Sequence, residues 1–133
     1  MESPSRKSGL EQPALQVLIV EDDREVRELL VDLLESRGYW AIAAEDGDQA
    51  LLKAKAYQPN VVLLDQTMPV MNGRQFLEEQ KKEPSIAGIP VVVFSAYENN
   101  LPVAGYLQKP VRLDDVLEAV NRYASPAGST PSS

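Results

Sequence analysis

The chain of 133 residues contains no cysteine and no histidine. Without thiols there is no disulfide framework, no cysteine nucleophile, no Cys-ligated zinc and no iron–sulfur cluster. Without imidazole there is no Ser-His-Asp triad, no histidine base or phosphohistidine carrier, and none of the common imidazole metal sites. Basic charge is also scarce. Thirteen Lys and Arg face 20 Asp and Glu, for a formal net charge of −7 and an isoelectric point near 4.6. Nucleic acid and anionic membranes are poor partners for such a surface, because both are recognised through Lys and Arg. No apolar run approaches the roughly 20 residues of a transmembrane helix. The opening MESPSRKSG is basic, but the apolar stretch of a secretory signal does not follow. The expected location is the cytoplasm. Any chemistry must come from carboxylates, hydroxyls, lysine, arginine and the backbone.

The length suits one domain, which can bury about two-thirds of the surface exposed by the unfolded chain. Residues 1–14 and 125–133 are rich in Ser and Pro and read as disordered tails. They flank an expected domain at 15–124. Within it, short apolar runs alternate with amphipathic stretches. Val17–Val20, Tyr39–Ala44, Val61–Leu64, Val91–Phe94 and Gly105–Leu107 read as strands, the continuous runs among them as strands buried on both faces. Val26, Leu29, Leu30, Leu33 and Leu34 fall on one helical face, with Gly38 placed to end that helix. Asp46 and Gln49 form an N-capping pair for a second helix running to about Tyr57. A third covers about Gly73–Lys82. Leu113, Val116, Leu117 and Val120 mark a last helix ending near Tyr123. Strands alternating with helices imply a parallel sheet covered on both sides. The economical arrangement is an α/β, doubly wound, five-stranded flavodoxin-like sheet.

One connection is short. Nine residues, Ala96–Ala104, join the fourth strand to the fifth. A helical crossover usually needs a dozen or more, so the fourth helix is expected to be shortened or missing.

In such sheets ligands bind at the carboxyl ends of the strands. Glu21, Asp22 and Asp23 follow the first strand, Asp65 the third, Ser95 the fourth, and Gln108 and Lys109 the fifth. Each has an ordinary structural explanation. Asp23 can cap a helix, Asp65 and Ser95 can serve turns, and Lys109 can be a solvated charge. Glu45 and Asp46 are turn and cap residues. Their conjunction is more telling. Carboxylates from adjacent strands repel, and so either raise a pKa or recruit a cation, with Lys109 or a hard divalent ion as the natural partner. Mg²⁺ favours one or two carboxylates, waters and a phosphoryl oxygen. A carboxylate nucleophile beside such a metal, a lysine and a hydroxyl is a phosphoryl-transfer site.

Four segments, VLIVEDD (17–23), VVLLDQTMPVMNG (61–73), VVVFSA (91–96) and GYLQKP (105–110), resemble the receiver domains of bacterial two-component response regulators. The resemblance covers about residues 16–124, with each motif at a strand end. It implies that Asp65 accepts a phosphoryl group from the phosphohistidine of a histidine kinase or phosphotransfer protein. It further implies that Mg²⁺ is held by Asp22, by Asp65, by Glu21 through water and by the backbone carbonyl of Thr67. Ser95 and Lys109 correspond to the hydroxyl and lysine that engage the phosphoryl group. Tyr106 corresponds to the aromatic that switches with Ser95, and Lys109-Pro110 to a cis peptide bond. The resemblance also implies output to a downstream protein.

One departure from the family pattern matters, and one further position bears on the lifetime of the phosphoryl group. The short link puts the usual output and dimer face in doubt, so dimerisation there is expected to be absent or altered. Tyr97, two residues past the hydroxyl, is bulky and predicts slow autodephosphorylation. Two rivals are weaker. A haloacid-dehalogenase-type phosphatase needs an aspartate where Thr67 stands. A degenerate receiver acting as a phosphate-independent interaction module would have been free to lose members of the Glu21, Asp22, Asp65, Ser95, Lys109 set.

Overall fold

The structure, a computed structural model, describes residues 14–65, 73–95 and 102–124. In chain order it runs β1 (Gln16–Val20), α1 (Arg24–Ser36), β2 (Trp40–Ala44), α2 (Gly47–Tyr57), β3 (Val61–Asp65), α3 (Gly73–Lys81), β4 (Val91–Ser95), β5 (Gly105–Gln108) and α4 (Leu113–Tyr123). The five strands form one parallel sheet in the order β2-β1-β3-β4-β5. The expected doubly wound α/β sheet is present, with element ends shifted by a residue or so. Four helices among the described residues are compatible with a shortened or missing helix between β4 and β5. Residues 102–104 carry none. The rest of that link, 96–101 with Tyr97, lies outside the described residues. So do Thr67, residues 125–133, and all of 1–14 except Ala14.

The strand sequences explain the layering. β3 and β4 are buried throughout, and β1 from Val17 onward. Side chains alternate between the sheet's faces. Leu18, Val20, Val62, Leu64, Val91 and Val93 join Phe76 and Leu77 of α3 and Ala50 and Ala54 of α2 in one core. Val17, Ile19, Val61, Leu63, Val92 and Phe94 meet Leu30 and Leu34 of α1 and Val116, Ala119 and Val120 of α4 in the other. Asp23 and Asp46 cap α1 and α2, accepting from the backbone N–H of Val26 and Gln49. Gln49 in turn accepts from the Glu45 N–H, and Lys53 donates to the Ala43 carbonyl. Two α2 side chains thereby occupy backbone groups on the outer edge of β2, the position where a sheet is open to unwanted pairing.

The apolar face of α1 divides where the sequence pattern treats it as one stripe. Leu30 and Leu34 are buried, whereas Val26 is 39% and Leu29 52% exposed. Val26 and Leu29, in the first two turns of α1, line a groove beside the sheet's carboxyl edge instead of the core.

At the opposite edge, Gly105 of β5 lies directly under the Tyr123 ring. A Cβ there would sit 2.8 Å from Tyr123 Cε2 and 3.3 Å from Val92 Cγ2. Gly105→Ala is expected to destabilise the fold by about 1–3 kcal/mol through overpacking. Adding Tyr123→Ala should recover part of that loss. Urea unfolding of both variants and of Tyr123→Ala alone checks it, and strictly additive effects would refute the contact.

Candidate phosphoryl-transfer site

Three strand ends build the site. β1 and β3 are neighbours in register, so the residues after Val20 meet Asp65 at the end of β3. Oxygens of Glu21, Asp22 and Asp65 all lie within 4.8 Å of one another. Glu21 and Asp65 are buried and Asp22 is exposed. Lys109, just past β5, donates from Nζ to Asp65 Oδ1 at 3.3 Å. Its ammonium also stands 5.5 Å from the centroid of the Phe94 ring. The Lys109 N–H bonds the Ser95 carbonyl at 2.7 Å, and the Lys109-Pro110 peptide is cis.

Ser95 is buried. It lies one residue beyond Phe94, the register partner of Asp65. Strand alternation puts Ser95 on the same face as Val91 and Val93. Tyr106 pairs with Val93 and is half-buried against that core. Ser95 and Tyr106 therefore share one side of the sheet on adjacent strands. Thr67 lies outside the described residues.

Three carboxylates beside one lysine carry an excess of negative charge, and Glu21 registers it. Burial pushes its carboxyl up to about 7, and the nearby Asp65 charge and a hydrogen bond with Asp22 add to the rise. The Asp23 N–H, which donates to Glu21 Oε2 at 3.0 Å, and the Lys109 charge oppose it. Hard carboxylate oxygens gathered this closely suit Mg²⁺.

The cluster opens onto a groove of about 630 Å³ between the start of α1 and the start of α4. Its walls are largely apolar and include Val26, Leu29, Leu30, Phe94, Leu107 and Leu113. Two site features escape a reading by sequence alone. Phe94 as a platform for Lys109 follows only from the β4–β5 pairing. Arg27 donates from Nη1 to the Glu21 carbonyl at 2.9 Å and reaches the Asp22 carbonyl at 3.4 Å. Its only sequence signal is an arginine one turn beyond the Asp23 cap.

Among the described residues no helix is long and apolar enough to cross a membrane. A family model described as "Response regulator receiver domain" matches residues 17–121. The chain is similar to the chemotaxis protein CheY of Bacillus subtilis, with 36% identity over 118 residues, covering 82% of this chain and 97% of that protein. It is also 36% identical over 83 residues to the phosphate regulon transcriptional regulatory protein PhoB of Escherichia coli, but there it spans only 36% of the relative's length. In three dimensions it resembles the chemotaxis response regulator CheY4 of Vibrio cholerae, with TM-score 0.77, 25% identity, and coverage of 83% of this chain and 98% of that one.

Proposed function

Because this chain belongs to the response regulator receiver domain family, we propose that it is a phosphorylation switch in a two-component system, with Asp65 as the phosphoacceptor. The observation that carries the proposal is the meeting of Glu21, Asp22, Asp65 and Lys109 at one sheet edge. A histidine kinase or phosphotransfer protein is the donor. An Asp65 carboxylate oxygen attacks the phosphorus, the donor's P–N bond breaks with its electron pair returning to imidazole, and an acyl phosphate remains. Asp22 and Asp65, with Glu21 through water and, as the family resemblance implies, the Thr67 carbonyl, would hold Mg²⁺, which would neutralise charge on the phosphoryl oxygens. Lys109 offsets charge on another oxygen, and Ser95 donates its hydroxyl to the product phosphate. The apolar groove beside Asp65 suits a protein donor better than a small anion.

Phosphorylation adds about −1.5 to −2 charges. Ser95 and Lys109 are drawn toward them, and Tyr106, on the face Ser95 occupies, follows into the space released. The change is a population shift between two arrangements of one fold. A downstream protein reads it, in the cytoplasm. The domain that carries this activity spans 15–124. The convergence of the acidic trio and Lys109 weighs against a phosphate-independent module.

The test is intact-mass analysis after incubation with Mg²⁺ and acetyl phosphate. Wild type should gain one phosphoryl group and Asp65→Asn none. Gain without Mg²⁺, or an equal gain in Asp65→Asn, would contradict the proposal. The label should decay slowly, as the bulk of Tyr97 two residues past Ser95 in the sequence predicts, and a half-life of seconds would refute that expectation.

A further inference from the structure

Given the metal reading above, on which this rests, we infer that Arg27 is a positioning residue for Mg²⁺. It acts on the backbone that carries two of the metal's carboxylates. β1 ends at Val20 and α1 begins at Arg24, so Glu21, Asp22 and Asp23 form a three-residue turn. One side of that turn is closed by the Asp23 N–H on Glu21 Oε2 and by the Asp23 cap on Val26. The other side is closed by Arg27 on the Glu21 and Asp22 carbonyls.

The choice of acceptor matters. A guanidinium bonded to the carboxylates would compete with a cation for the same oxygens. Bonded to the carbonyls, it sets the direction of the two side chains and leaves their oxygens available. Arginine suits this task, since a guanidinium is a donor with no acceptor of its own, and here a single Nη1 serves both carbonyls. Outer groups that orient metal ligands typically change affinity by 10–100-fold when removed.

Charge alone predicts the opposite sign. Deleting a cation from the neighbourhood of three carboxylates should tighten Mg²⁺ binding. Loss of positioning should weaken it. Calorimetric titration with Mg²⁺ at pH 8 separates the two. Expected is Arg27→Met weaker by about tenfold and Arg27→Lys intermediate. Arg24→Met should be close to wild type, since Arg24 is an exposed cation on the same helix that pairs with Glu28. Phosphorylation rates with acetyl phosphate should show a raised half-saturating Mg²⁺ concentration for Arg27→Met and a near-normal maximal rate. An affinity in Arg27→Met equal to or tighter than wild type overturns the inference. If circular dichroism shows Arg27→Met unfolded, Arg27→Lys decides by the same comparison. Wild type that binds no Mg²⁺ refutes the metal reading itself, a result distinct from equal binding by wild type and variant.

Discussion

Lys109→Met is expected to slow phosphorylation of Asp65 by acetyl phosphate about a hundredfold or more, while Mg²⁺ binding stays unchanged or tightens. The two halves follow from one geometry. The Lys109 ammonium is 3.3 Å from Asp65 Oδ1, on the carboxylate proposed to attack the phosphorus. It is 39% exposed and stands over the Phe94 ring. Losing one preorganised donor from a site of developing negative charge costs roughly 10²–10³ in rate. The metal responds differently. Lys109 competes with a cation for the field of Glu21, Asp22 and Asp65, and methionine removes that competitor while keeping much of the side chain's apolar length. Initial rates at saturating Mg²⁺, together with calorimetry, check both halves. A rate within a few-fold of wild type would remove Lys109 from the transfer step. A large loss of Mg²⁺ affinity would show that the lysine instead builds the metal site.

The second large effect is on stability. In the presence of a chelator the protein should lose stability as pH rises from about 5 to 8. Glu21 has a folded-state pKa raised to about 7 from 4.5. Below the unfolded value both states hold the proton. Between the two values the folded protein keeps a proton that the unfolded chain has released, so stability falls with each increment of pH. Above the folded value the loss is complete, at most about 3 kcal/mol by the linkage relation. Glu21→Gln, which carries no titrating proton, should flatten this part of the profile. Mg²⁺ should offset the loss at pH 8, where the ionised carboxylate is the form that suits the metal, and do little at pH 5. Urea titrations at the two pH values, with chelator or with Mg²⁺, measure all three effects. A metal-free protein more stable at pH 8 than at pH 5 would contradict the burial of an unbalanced Glu21.

The same residues show where the limit of a linear reading lies. The sheet was legible because each buried strand is an apolar run too short to be a helix, bounded by capping and turn residues. Val61–Leu64 and Val91–Phe94 state their burial without help from neighbours, and Asp46 with Gln49 marks a helix start within four residues. The acidic trio was legible for a related reason. In a parallel sheet every carboxyl end lies along one edge, so polar residues after β1, β3, β4 and β5 meet once the strand order is known.

Val26 and Leu29 mark the opposite case. Their spacing matches Leu30 and Leu34, yet they face the groove, because where a helix stops covering a sheet depends on how far it projects past the strand ends. The elevated Glu21 carboxyl depends first on burial, and on the charges of Asp65 and Lys109 brought from two other strand ends, beside the local bonds of Asp22 and Asp23. Gly105 under Tyr123 and Arg27 on the Glu21 carbonyl join groups whose meeting is set by helix docking. Local pattern determined the element order, the fold class and the meeting of Glu21, Asp22, Asp65 and Lys109 at one sheet edge. Tertiary structure alone decided which face of α1 is covered, how strongly Glu21 holds its proton and what braces the acidic turn. The reason is physical: periodicity and capping are written over a few consecutive residues, whereas desolvation, charge balance and close contact are sums over everything the fold packs around a group.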